Sequence, residues 1–126
     1  MSHKVTNWRQ RYKWLWAKTE GHCAYCGVKF ETYAEMTDDH VIPRSRGGRH
    51  DKINRVPCCR SCNSVKGPRS IEYLRDSLQR RRHGRPAFSA DQLAYLAASA
   101  FVFPAEPRYE FYLEKLGHAF DEVGHG

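Results

Sequence analysis

Cys23-Ala24-Tyr25-Cys26, then Asp39-His40-Val41-Ile42-Pro43 and Asn54, then Cys59-Arg60-Ser61-Cys62-Asn63-Ser64-Val65-Lys66-Gly67: these three segments carry most of what the chain says about its architecture. Two Cys-x2-Cys pairs supply four soft thiolates, a set that suits tetrahedral zinc. The two-residue spacer lets a tight knuckle aim both sulfurs at one ion. With cysteine at all four positions the site is closed, so a structural Zn2+ is expected, one per chain, on Cys23, Cys26, Cys59 and Cys62. The pairs are separated by residues 27–58. That gap exceeds the gap of a simple zinc ribbon, so a small substructure must sit between the knuckles. Cys58 is the spare thiol, expected to pack as a small apolar residue, with a register swap for Cys59 as the alternative.

The residues between the pairs carry reactive groups. His40 can take a proton near neutral pH, since an unperturbed imidazole has a pKa of about 6.5. Asp39 offers a hard oxygen to Mg2+ or a similar ion. Adjacent side chains on a strand point to opposite faces. Asp39 and His40 can therefore serve one site only if the chain bends or bulges there, and Pro43 is consistent with a sharp exit. Asn63 follows a zinc ligand on an expected short helix and could bring a second oxygen ligand. The Asn54 amide could bridge backbone groups and hold the His40 loop. Each residue alone has a plainer reading, as a surface hydrogen bond or a turn former. Their joint placement points to phosphodiester hydrolysis, which needs an activated water, a cation on the phosphate and help for the leaving oxygen. His22, His50, His83, His118 and His125 read as structural or exposed.

Charge agrees with that direction. The chain has 126 residues and a net charge of +7, but residues 1–86 carry +11 and residues 87–126 carry −4. Positive charge therefore travels with the motif, and a polyanion is its natural partner. Arg44, Arg46, Arg49, Lys52 and Arg55 crowd the loop after His40 and are candidates for phosphate contact. Lys66 is a further candidate, with helix capping as its alternative. Five cysteines, an odd count in CxxC pairs, argue for a reducing compartment rather than a disulfide scaffold. No apolar run approaches the roughly 20 residues of a membrane span. The first residues lack the apolar segment of a secretory signal, so a cytoplasmic or nucleoid-associated protein is expected, not a secreted one.

The length suits one domain over 1–126 in three zones. Residues 5–19 read as a helix, with Trp8, Tyr12, Leu15 and Trp16 on one stripe, Thr6 or Asn7 as cap and Gly21 as stop. Residues 20–67 hold the motif, with strands at Thr37–Val41 and Val56–Cys58 and a helix at Arg60–Lys66. Residues 70–126 read as a helical cap. Ser70 opens a helix with Ile71, Leu74 and Leu78 on one face, and Gly84 closes it. Ser89 and Gln92 form a capping box with Phe88 and Leu93 as staple. A last helix is expected over Pro107–Leu116, and the tail from Ala119 is expected to fray.

Residues 23–67 resemble an HNH endonuclease of the ββα-metal (His-Me finger) kind, in its zinc-stapled four-cysteine form. The likeness rests on Cys23-Ala-Tyr-Cys26, Asp39-His40-Val-Ile-Pro43, Gly47-Gly48, Asn54 and Cys59-Arg-Ser-Cys62-Asn63-Ser-Val-Lys66-Gly67. The letters of the family name fall on His40, Asn54 and Asn63, so the third is the Asn variant. The resemblance implies an α+β fold: a zinc-stapled ββα core flanked by N- and C-terminal helices. It implies a metal-dependent endonuclease in which His40 is the general base. Asp39 and Asn63 would hold one catalytic Mg2+ or Mn2+, and Asn54 would orient the His40 loop. The implied substrate is DNA, expected to be double-stranded, cut to 5′-phosphate and 3′-hydroxyl ends. No second DNA-reading domain is visible, so specificity would come from a protein partner or be weak. Two other readings stand beside this one: a zinc-containing nucleic-acid-binding module that does not cut, and a structural zinc domain that mediates protein contacts.

Overall fold

The computed structural model describes residues 11–82, 88–100, 107–118 and 120. Its centre is an antiparallel ribbon, β1 (Met36–His40) against β2 (Arg55–Cys59), with Asp39 opposite Val56 and His40 opposite Arg55. The register is regular through His40, so the bend or bulge expected at Asp39–His40 is absent from the ladder. β2 runs straight into helix α2 (Arg60–Lys66). Cys59 caps that helix, its sulfur accepting the Cys62 N–H at 3.3 Å. Gly67 stops it with a positive φ of 51°. The unit is an α+β, ββα arrangement, and both strands extend one residue beyond their expected starts.

The first knuckle docks on this unit through its backbone. Ala24 N–H donates to Pro57 O at 2.9 Å, on the edge that Pro57 itself cannot supply with a donor. On its far side Ala24 O and Tyr25 O accept the N–H groups of Leu113 and Tyr112, at 2.9 and 3.1 Å. That pairing also limits how far the next helix extends. The helix expected over Pro107–Leu116 is only α5 (Tyr112–Lys115), because Phe111 stays extended at ψ 151° and is fully buried. A longer helix would withdraw Phe111 from the core. The Arg75 guanidinium clamps this segment: it lies 4.1 Å from the Phe111 ring and donates to Tyr109 O at 2.6 Å and to Glu114 at 2.7 Å.

Flanking helices complete the core unequally. Helix α1 occupies 11–17 among the described residues and buries Leu15, while Trp16 stacks on Tyr33 at 4.4 Å. Trp8, the expected caps Thr6 and Asn7, and residues 5–10 lie outside the described residues. Gly21 ends the turn at φ 80°; a Cβ there would sit 2.6 Å from the Trp16 ring, so both conformation and space require glycine. Helix α3 (Ile71–Arg82) buries Leu74 and Leu78. Its expected stop, Gly84, is outside the described residues. Helix α4 (Ala90–Ala98) has the Ser89–Gln92 capping box but buries none of its residues, so it does not cap the core. Phe120 departs from the expected frayed tail: it is 2% exposed and packs on Tyr25 and Phe111. The rest of that tail, from Ala119 on, is outside the described residues. Among the described residues no helix is long and apolar enough to cross a membrane.

Candidate active site and metal centre

The knuckle at 23–26 and the β2–α2 junction bring Cys23, Cys26, Cys59 and Cys62 together, with all four sulfurs within 4.8 Å of one another. Four sulfurs at about 2.3 Å from a tetrahedral zinc would lie about 3.8 Å apart. The Cys26–Cys59 separation is 3.8 Å. The cluster therefore fits a structural zinc in both donor chemistry and size. The four thiols share hydrogen bonds with one another, which draw Cys23 below its ordinary range and push Cys26 and Cys62 above theirs, as expected of sulfurs packed closely enough to share protons or an ion. Cys58 is fully buried and stands outside the quartet.

The alternation of β1 separates the next two candidates. Asp39 points inward, 6% exposed, and accepts the Tyr25 hydroxyl at 2.6 Å. The Lys66 ammonium lies 3.3 Å from the same carboxylate, is 0% exposed, and donates to His40 O at 2.9 Å. Lys66 is thus corrected as a phosphate contact: its charge is spent inside the protein on Asp39 and on the end of β1. Burial raises the Asp39 pKa, against the pull of Lys66 and Tyr25. His40 points the other way, onto the face it shares with Asp38. Its Nε2 is 2.9 Å from His50 Nδ1 and the rings are 5.1 Å apart. Burial lowers the His40 pKa, Asp38 opposes that, and His50, Arg55 and Arg44 add to it. The imidazole is therefore biased toward its neutral, proton-accepting form.

Asn54 is 1% exposed and makes three hydrogen bonds to main chain. Its Oδ1 accepts Ile42 N–H at 3.0 Å, and its Nδ2 donates to Ile42 O at 3.1 Å and Arg49 O at 2.7 Å. The loop between is closed tightly: a Cβ on Gly48 would lie 1.7 Å from Ile42 O. Asn63 is exposed on α2, one turn before Lys66, hence on the adjacent helix surface. A carboxylate and an amide oxygen suit a hard divalent cation in kind. In this structure an ammonium already neutralises the Asp39 carboxylate, so a divalent ion would have to compete with Lys66.

Arg44, Arg46, Arg49 and Lys52 are exposed, with Arg49 paired to Asp51. Arg55 is half-buried and forks onto Asp38, its Nε 3.1 Å from each carboxylate oxygen. Besides His50, three residues that the sequence did not single out join this face. Asp38 could have been found from strand alternation, since it shares a face with His40. Trp14 and Lys18 of α1 left no such signal. Lys18, Lys52 and Arg55 lie 5.4, 5.1 and 5.0 Å from the Trp14 ring, and Lys18 Nζ donates to Arg55 O at 2.6 Å. Contacts of this kind join distant segments and are invisible to local spacing.

The site thus defines a class: a ββα unit with a four-cysteine cluster that fits a structural zinc, and an imidazole on its open face. Residues 23–69 match the family model described as HNH endonuclease, so the resemblance read from the sequence is shown over that segment. No curated protein matches the chain.

Proposed function

We propose that the protein is a metal-dependent endonuclease that hydrolyses DNA phosphodiester bonds with His40 as general base. The observation that carries this reading is His40 itself: a half-buried imidazole biased toward its neutral form, at the end of β1 where the Asn54-braced loop begins, with Arg44 and Arg55 near enough to act on it. His40 takes the proton of a water as that water attacks phosphorus. Arg44, Arg46, Arg49 and Lys52 hold the phosphodiester backbone against the loop, and Arg55 contributes from beside Asp38. Asn54 keeps the loop from moving relative to β1. A divalent cation held by Asp39 and Asn63, Mg2+ or Mn2+, supplies positive charge for the phosphate and the leaving oxygen when bound. Double-stranded DNA as substrate, 5′-phosphate and 3′-hydroxyl ends, and a protein partner for specificity belong to the same proposal.

One observation favours a second reading, a nucleic-acid-binding module that does not cut. Lys66 and Tyr25 occupy the Asp39 carboxylate, leaving the cation position contested. Supercoiled plasmid incubated with the zinc-loaded protein plus Mg2+, Mn2+ or EDTA separates the two. Nicking with a divalent ion and none with EDTA is expected. Salt-sensitive binding without nicking under any ion would establish the second reading instead.

A further inference from the structure

His50 reads from the sequence as structural or merely exposed, yet the fold brings its ring to the proposed base. The two histidines are ten residues apart and sit on opposite arms of the loop. Their nitrogens meet at 2.9 Å, His40 Nε2 to His50 Nδ1, with the rings inclined by 24°. An exposed contact between two side chains is ordinarily weak, because water competes for both partners. Here the backbone beneath each ring is held. Asn54 Oδ1 and Nδ2 fix Ile42, two residues past His40, and the same Nδ2 fixes Arg49 O, one residue before His50. Arg55 reaches the carbonyl of His50 from β2 at 3.4 Å. Asn54 therefore spans the arms that carry both imidazoles and holds the main chain beside each of them.

A general base needs one nitrogen with a free lone pair and, on the other, a partner that fixes the ring. The geometry points to His50 as a positioning residue: its Nδ1 accepts the Nε2–H of His40, leaving His40 Nδ1 as the nitrogen that receives the proton from water. This rests on the proposed role of His40. It adds that His50 orients the ring and fixes which nitrogen of His40 carries the hydrogen. Asp38, the carboxylate whose charge acts on His40, is engaged by Arg55. That leaves the His50 ring nitrogen in the place a carboxylate takes in other imidazole bases.

The test combines NMR of the zinc-loaded full chain with plasmid nicking in Mg2+. The His40 Nε2–H is expected to be protected from exchange and to show a through-hydrogen-bond coupling to His50 Nδ1. His50→Ala should abolish both and lower kcat about tenfold with little change in KM, the low end for an outer partner of a working imidazole. His50→Asn keeps an acceptor at the δ position and should recover a substantial part of that loss. An unprotected Nε2–H in the parent protein, or His50→Ala and His50→Asn alike in kcat, would overturn the inference. His40→Ala is the control on the underlying reading. If it nicks at the parent rate, His40 is not the base, whatever NMR shows of the hydrogen bond.

Discussion

Asp39 and His40 are one peptide bond apart and live in different environments. The Asp39 side of β1 faces the knuckle and α2, where Tyr25 and a fully buried Lys66 surround one carboxylate. The His40 side faces the loop, where an imidazole meets His50 beside exposed arginines. A regular strand sorts neighbours to opposite faces, so for the proposed Asp39 cation and His40 base to act on one phosphate the end of β1 has to adjust. Asp39 belongs first to the core and His40 to the open surface. Lys66 is the link, since one ammonium binds both the Asp39 carboxylate and the His40 carbonyl.

The largest effect should come from the zinc, which supports both faces at once. Binding of structural zinc is worth about 10–16 kcal/mol in small metal-folded units. Chelation, or Cys23→Ser or Cys62→Ser, is expected to lose metal and cooperative melting together, whereas Cys58→Ser should keep both. Elemental analysis and thermal melts check this, and an intact melt without zinc would end the idea of a shared support. Next comes the inward face alone. Lys66→Met leaves the buried Asp39 charge without its partner, and breaking such a pair costs about 3–5 kcal/mol. Denaturant titration should show that loss. If Asp39 can hold a divalent ion, Mg2+ or Mn2+ should restore more stability to the variant than to the parent.

The outward face is expected to respond to salt. Replacing Arg44, Arg46 and Arg49 with alanine should flatten the log–log dependence of DNA affinity on salt by about 0.9 for each phosphate left without its cation. An unchanged slope would remove the loop from the interface. A smaller effect, away from both faces, comes from Glu114. Burial raises its pKa, but hydrogen bonds from Arg75 and the Phe111 N–H, with the charge of Arg75, outweigh that and the net shift is downward. A depressed carboxyl pKa adds stability above the unfolded value and loses it as pH falls through the folded value. Glu114→Gln should therefore cost about 1–2 kcal/mol near neutral pH, and the gap to the parent should close in acid.

The core motif was legible because its information is local. CxxC spacing predicts the cluster, and Gly67 after Lys66 gives the α2 boundary where it stands. The Ser89–Gln92 box is equally legible, but a cap specifies where a helix starts and not what it packs against. Helix α4 therefore forms as expected without joining the expected cap over the core. The segment before α5 fails for the opposite reason: its extended form is dictated by backbone partners at Ala24 and Tyr25, far away in sequence. Lys66 reads as a surface cation by composition, and only the fold shows a buried carboxylate waiting for it. His50 carries no motif, since its meaning depends on two loop arms that Asn54 draws together.

The division of β1 into a supporting face and a reacting face stands or falls at His40. Zinc-loaded His40→Ala should melt within a degree or two of the parent, because a half-exposed surface side chain carries little of the core. It should nick plasmid at least roughly 10²–10⁴-fold more slowly at saturating Mg2+, the contribution of a positioned general base. Equal nicking by the folded variant and the parent would contradict the assignment of His40 to the chemistry, and with it the reading of its side of β1 as the reacting face.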